Sequence, residues 1–260
     1  MDHLDKVSAI IVAAGTGKRM KSTVKKQYME IHSRPVLFYT LKAFEKSNVD
    51  DIVIVTGADE TDFVQKEIVD RFKIKKVTKI CAGGKERCDS VYEGIKQIAG
   101  MSKKSHASKS EIEDGVRSGY VLIHDGVRPL VTPELINFCI ENVKKYGACI
   151  PGVPEKDTVK EADENMDVAF TPDRKKMFRI QTPQCFNLSL INDACDKYYD
   201  EIRKNDETDT VVITDDAMLV EKYTGHKVKI IKGDYRNIKI TTPDDLEIAE
   251  LYLLSQENDY

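Results

Sequence analysis

Six runs rich in β-branched and apolar residues lie at 7–12, 51–56, 76–81, 120–124, 148–153 and 227–232. Stretches with helical spacing of apolar residues fall among them, at 35–46, 60–72, 86–99, 133–146, 188–204 and 215–223. Parallel neighbours in a sheet need a long crossover, usually a helix, so this alternation is the pattern of a mainly parallel sheet. The central runs are apolar enough to be covered by helices on both faces. Helix 35–46 opens on Pro35, whose ring suits the first helical turn. The expected fold is α/β, a doubly wound and mainly parallel sheet forming one domain over 1–260. A chain of 260 residues can hide roughly 75% of its extended surface in such a core. Ligands of open α/β sheets bind beyond the carboxyl ends of the strands, so the loops that follow the strands need the closest reading.

Two segments break the alternation. Residues 100–118, "GMSKKSHASKSEIEDGVRS", are polar and rich in Ser and Lys, and read as a surface insertion that adds nothing to the core. Residues 157–181 hold two extended runs around the turn-like Asp163-Glu164-Asn165, the pattern of a hairpin leaving the main sheet. A two-stranded arm is marginal alone, which makes a second subunit the expected surface for it to pack on.

The loop after the first strand, "AAGTGKRMKSTVKKQY" (13–28), carries two glycines, five cations and no acid. A Walker A loop ending at Gly17-Lys18 would need Gly at 12 and Ser or Thr at 19, where Val12 and Arg19 stand. A dinucleotide fingerprint from Gly15 would want Gly or Ala at 20, where Met20 stands. What remains is a loop able to turn backbone N–H groups toward a phosphate chain, followed by cations that could surround it. Each cation within about 4 Å of a phosphate is worth up to ~4 kcal/mol at an effective dielectric near 20. The same cluster would also suit a solvated basic turn. The chain as a whole has a net charge of -4, which argues against a general nucleic-acid binder and makes the basic loop a local feature. Six cysteines without a C-x-x-C pair read as reduced thiols filling the core rather than as a metal site. The first residues lack a basic start, and the apolar run stops at Gly15, too short to span a membrane; a cytoplasmic protein is expected.

Three more segments fall where an open sheet binds ligands: "AGGKERCDSV" (82–91), "HDGVRP" (124–129) and "IKITTPDDL" (238–246). With "GTGKRM" and "KKQY", and with "DTVK", "TPDR" and "QTPQCF" in order between them, they resemble the 2-C-methyl-D-erythritol 4-phosphate cytidylyltransferase family of the non-mevalonate isoprenoid pathway. The likeness runs from Ala9 to about Leu251. It implies a Rossmann-like nucleotidyltransferase sheet with a protruding β-hairpin arm. It also implies a reaction in which a sugar-alcohol phosphate attacks the α phosphorus of CTP and expels pyrophosphate, with Mg2+ held mainly by the phosphates. The nucleophile is already an anion, so what such a reaction needs is positioning and charge stabilisation rather than a strong base.

By the same resemblance, Arg19 and Lys26 match cations that stabilise the transition state, and Lys239 is similar to the lysine that orients the attacking phosphate. Arg174 and Thr158, on the arm, match residues that hold the sugar phosphate from a neighbouring subunit, which implies a homodimer. Ala13, Ala14 and Gly15 would give backbone contacts to the nucleotide. Gly84 and Ser90 look like the loop that reads base and ribose, and Asp125 and Thr182 would line the sugar-phosphate pocket. Lys18, Lys21 and Lys25 are left as solvated charges. The chain departs from the family pattern at Lys25, where proline is common, and at Lys85, where an acid is common. Within the fold, a ribitol 5-phosphate cytidylyltransferase is the nearest alternative; a non-catalytic nucleotide-binding regulator is the alternative from another class.

Overall fold

In the computed structural model, which describes residues 5–15, 24–102, 119–204 and 212–257, the chain opens with β1 (Val7–Val12). A short hairpin follows, β2 (Glu30–Ile31) and β3 (Arg34–Pro35), then α1 (Val36–Lys46) and β4 (Asp51–Thr56). Next come α2 (Thr61–Phe63), continued as a π-helix (Val64–Asp70), β5 (Val77–Ala82), α3 (Arg87–Ser102) and β6 (Tyr120–Asp125). The second half contains α4 (Pro133–Tyr146), β7 (Ala148–Pro154), a hairpin of β8 (Glu161–Ala162) and β9 (Val168–Phe170), β10 (Phe178–Ile180) and β11 (Gln184–Asn187). It ends with α5 (Leu188–Lys204), α6 (Asp216–Thr224), β12 (Lys229–Lys232) and α7 (Pro243–Glu257).

The main sheet runs β5, β4, β1, β6, β11, β7, with β12 also paired to β7 and β10 pairing β7 further along. The β5–β4, β4–β1, β1–β6 and β7–β12 pairs are parallel; β10 and β11 are antiparallel to their neighbours. Alternate residues of each central strand feed opposite layers. Ala9 and Ile11 of β1, Ile52 and Ile54 of β4 and Leu122 of β6 pack with Leu37, Leu41 and Phe44 of α1 and Ile136 and Val143 of α4. Ile10, Val53, Val55, Val121 and Ile123 pack on the other face with Val91 and Ile95 of α3, Ile191 of α5 and Leu219 and Val220 of α6. Burial on both faces is why these strands read as unbroken apolar runs. Each such side chain contributes about 1.5–3 kcal/mol on leaving water, so a register slip would be costly.

The six expected strands are present to within two residues at either end. The expected helix 60–72 is α-helical only over Thr61–Phe63; beyond it the turns widen, and Arg71 N–H reaches the carbonyl of Lys66, a π-type bond. The stretch 100–118 read as an insertion begins later than expected, because Gly100 to Ser102 still belong to α3; residues 103–118 lie outside the described part. The arm is also shorter than 157–181, since Phe178–Ile180 returns to the sheet as β10. Beyond the sheet, β8 and β9 pair, among the described residues, only with each other, around a turn in which Asp163 Oδ1 accepts the N–H groups of Asn165 and Asp167, both at 2.9 Å. All six cysteines are free thiols, four of them buried.

Candidate active site

The backbone of Ala13 leaves β1 still bonded to the sheet, its N–H donating to the carbonyl of Val55 at 2.7 Å. Gln27, on a short 3-10 turn over Lys26–Tyr28, reaches back with its buried amide, and Nε2 donates to the carbonyls of Ala13 at 2.7 Å and Gly15 at 3.1 Å. The two ends of the basic loop are thereby clamped together. Residues 16–23, which include Arg19, are outside the described part.

The loop after β5 packs directly on this one. A Cβ at Gly83 would stand 2.8 Å from Ala14 Cβ and 2.5 Å from Ser90 Oγ, so only glycine permits the approach. Ser90 is buried and its hydroxyl is committed to the turn: it accepts from Gly84 N–H and donates to the carbonyl of Glu86, both at 3.2 Å. Asp89 accepts from Glu86 N–H at 2.9 Å and is itself held by the Tyr199 hydroxyl of α5 at 2.6 Å. The glycine loop is therefore braced by the helix layer below it.

Asp125 ends β6 and is surrounded by cations. Lys239 Nζ lies 3.0 Å from Oδ2, Arg128 Nε 3.6 Å from Oδ2 and Arg87 Nε 3.6 Å from Oδ1. Burial opposes ionisation of this carboxyl, but Lys239, Arg87 and Arg128 together hold it well below the usual carboxylate range. Arg87, at the start of α3, makes a two-pronged pair with buried Asp216 at 2.6 and 2.7 Å. Burial works against the guanidinium, yet Asp216 and then Asp125 raise its pKa, so it stays charged. Asp216 is fixed in turn by Gln184 of β11, whose Oε1 accepts the N–H groups of Asp216 and Ala217 at 3.0 and 3.1 Å.

The segment carrying Lys239 is tied to the same place from two sides. Ile240 N–H donates to the carbonyl of Val127 at 2.9 Å, and Lys26 Nζ donates to the carbonyl of Ile240 at 3.1 Å. Residues 214 apart in sequence thus meet over the ends of β1 and β6.

Between these loops lies a cavity of about 340 Å³, lined by eight of the twelve expected site residues: Ala13, Ala14, Gly15, Lys26, Gly84, Ser90, Asp125 and Lys239. Thr182 does not line it. Its hydroxyl sits behind the sheet end, accepting from Asp125 N–H at 3.2 Å and facing His124 Nδ1 at 2.9 Å, and it orients the aspartate from the rear. Burial pushes His124 down to about 3, so this neighbour is neutral. Arg174 and Thr158 are exposed on the arm and away from the cavity; the Arg174 side chain donates to the carbonyl of Lys156 at 2.9 Å. Lys25 is not a solvated charge, because Nζ pairs with Glu60 Oε1 at 2.7 Å. Sequence reasoning missed Gln27, Arg87 and Arg128. Gln27 and Arg128 stand inside "KKQY" and "HDGVRP", and Arg87 inside "GGKER", so the motifs held them without marking their roles.

Of the charged residues that line the cavity, Lys26, Lys85, Arg87 and Lys239 against Glu86 and Asp125 leave two positive charges in excess. A site of this kind attracts a polyanion, and its fixed cations and loop amides stabilise charge on phosphate oxygens.

Known proteins resemble this chain in sequence and in fold. The family model described as IspD, 2-C-methyl-D-erythritol 4-phosphate cytidylyltransferase, matches residues 7–255. The protein of that name from Lachnospira eligens is 42% identical over 247 residues, covering 95% of this chain and 98% of its own. That from Lachnoclostridium phytofermentans is 43% identical over 255 residues, covering 98% and 99%. The crystal structure of 4-diphosphocytidyl-2C-methyl-D-erythritol synthase from Anaerococcus prevotii superposes with a TM-score of 0.75 at 34% identity, covering 96% of each chain. A family model matched over nearly the whole chain, with relatives 42 and 43% identical along almost all of their own length, means that the chain belongs to the 2-C-methyl-D-erythritol 4-phosphate cytidylyltransferase (IspD) family.

Proposed function

We propose that this protein joins CTP and 2-C-methyl-D-erythritol 4-phosphate to give 4-diphosphocytidyl-2-C-methyl-D-erythritol and pyrophosphate, a step in isoprenoid precursor biosynthesis. A phosphate oxygen of the sugar alcohol attacks the α phosphorus, a new P–O bond forms, and the bond to the β phosphate breaks as pyrophosphate leaves. The observation that carries the reading is the meeting of Lys26 and Lys239 beside Asp125 in one cavity at the carboxyl ends of the strands.

Ala14 and Gly15 hold the triphosphate through backbone N–H groups, while Ala13, whose N–H stays bonded to Val55, lines the cavity beside them, with Gly84 and the Ser90-braced turn against the nucleoside. Lys26 and Arg19 neutralise the charge gathering on the α phosphorus. Lys239 leaves Asp125 in part to take the incoming phosphate, and Asp125 keeps it aimed at the reaction line. With the attacking group already anionic, electrostatic preorganisation carries the catalysis.

Mg2+ fits this site in a limited way. Among the described residues no group of three or more His, Cys, Asp or Glu side chains could hold a metal, and Asp125 is engaged by three cations. The ion would be held chiefly by triphosphate oxygens, with Asp125 as the protein carboxylate within reach, the usual manner for this cation. When bound it supplies charge neutralisation on the phosphates.

Arg174 and Thr158 reach the reaction only from another subunit. Supporting a homodimer, the arm exposes Met166, Val168 and Phe170 by 82, 61 and 58%, an apolar surface that no described residue covers. No described helix is long and apolar enough to cross a membrane, and the cytoplasm is the proposed location.

The test is pyrophosphate release from purified protein with CTP and Mg2+. Release that depends on methylerythritol phosphate is expected. Release with ribitol 5-phosphate instead would move the acceptor assignment, and CTP binding without release on any sugar phosphate would indicate a regulator.

A further inference from the structure

Lys25 and Lys26 are neighbours on one turn and face different surroundings. Lys26 lines the cavity and bonds the carbonyl of Ile240; Lys25 does not line it and points to Glu60 on the outer side. The pair Lys25 Nζ–Glu60 Oε1 is 2.7 Å long, with the two side chains 34 and 17% exposed. Glu60 is a hub. Its other oxygen accepts from the Tyr28 hydroxyl at 3.1 Å, the Thr56 hydroxyl at 3.2 Å and Gly57 N–H at 3.1 Å. Tyr28 N–H closes the turn on the carbonyl of Lys25 at 2.8 Å. One carboxylate from the segment after β4 therefore grips the turn at its first residue and its last, while the two residues between them, Lys26 and Gln27, face the cavity loop.

We infer that the Lys25–Glu60 ion pair is a positioning device for the reaction: it fixes the turn that aims Lys26 at the phosphates and Gln27 at the carbonyls of Ala13 and Gly15. The inference rests on the role proposed above for Lys26. Reach and exposure favour it over direct phosphate binding by Lys25, since that ammonium is already paired outside the cavity. The backbone offers an independent check. Lys25 has φ -65° and ψ 138°, the conformation a proline ring enforces, and its N–H makes no hydrogen bond among the described residues. A proline at this position can hold the turn without the ion pair.

The experiment is steady-state pyrophosphate release, with kcat and the KM for CTP measured separately, for the full chain and for K25A, E60Q, K25A/E60Q, K25P and K26A. Loss of the clasp misplaces Lys26 by a fraction of its reach, so K25A and E60Q each lower kcat by about 10-fold, with the KM for CTP moving less than about 3-fold. The double variant is no slower than either single one, because both remove the same contact. K25P regains most of the kcat that K25A loses. K26A, which removes the aimed group itself, falls at least ~10²-fold. Normal turnover in K26A would sink the role of Lys26 and leave nothing for the clasp to position. A crippled K26A beside unaffected K25A and E60Q would overturn the clasp alone. K25P as slow as K25A, with a raised KM for CTP in both, would make Lys25 a direct ligand of the nucleotide and also overturn it.

Discussion

Replacing Asp216 with Asn tests how the cationic rim is held. The side chain keeps its shape and its backbone bonds to Gln184, but the carboxylate that meets Arg87 at 2.6 and 2.7 Å becomes an amide with one acceptor and one donor facing the guanidinium. Removing one partner from a fully buried ion pair typically costs about 3–5 kcal/mol, because the other charge stays behind uncompensated. Here Arg87 is 30% exposed and retains Asp125 at 3.6 Å, and burial pushes the pKa of the Asp216 carboxyl up against the pull of Arg87, so water, a second carboxylate and relief of that desolvation absorb part of the loss, and about 2 kcal/mol is expected. For a chain of this size that is a fall in Tm of roughly 4–8 °C. Thermal unfolding followed by circular dichroism at neutral pH reads it directly. Exchanging both partners for apolar residues, Arg87→Met with Asp216→Leu, removes one charge of each sign, so it should return much of the stability and leave the excess of positive charge around the cavity unchanged. A Tm for Asp216→Asn within about 1 °C of the unaltered protein would refute the argument that this pair is a buried structural tie.

Other outcomes follow from single contacts. Asp125 has a depressed pKa in the folded chain, so its ionisation contributes stability that is fully present above the ordinary carboxylate value near 4 and is lost as pH falls toward the folded value. Tm measured from pH 7 downward should therefore drop more steeply below about pH 4 in the unaltered protein than in Asp125→Asn; parallel curves would contradict the three-cation cradle. Gly83→Ala puts a Cβ against Ala14 and Ser90 and should raise the KM for CTP by about 10-fold as the two loops part, against no change if the loops do not share the nucleotide. If the proposed dimer forms through the arm, Phe170→Asp should shift sedimentation toward monomer and lower turnover with it, whereas a monomeric unaltered protein would remove the neighbour's role for Arg174.

Much of this fold is legible in the amino-acid sequence, for a physical reason. Strands buried on both faces, such as Ala9 to Ile11 and Ile52 to Val55, leave unbroken apolar runs, and the loops after them carry the glycines and cations that a phosphate site needs. β11 was not legible: Gln184–Asn187 is four residues long, and its burial comes from lying between β6 and β7 rather than from its own pattern. Helix α7 shows no apolar stripe, with Ala249 and Leu253 buried while Ile248, Leu251 and Leu254 stay exposed, so period alone could not announce it. Arg87 gains its meaning from Asp216, 129 residues away, a separation that no local motif encodes. Lys25 and Lys26 are alike in sequence, and only the twist of a three-residue turn sends one to Glu60 and the other to the cavity. Thr182 could be placed beside Asp125 by its motif, but not behind it.

The most direct measurement is the crystal structure of the CTP complex. Nζ of Lys26 and Lys239 and the guanidinium of Arg19 should then lie within about 3 Å of oxygens on or next to the α phosphorus, as charge-assisted bonds require. Those three groups turned away from that phosphorus, with the nucleotide seated elsewhere on the sheet, would contradict the account.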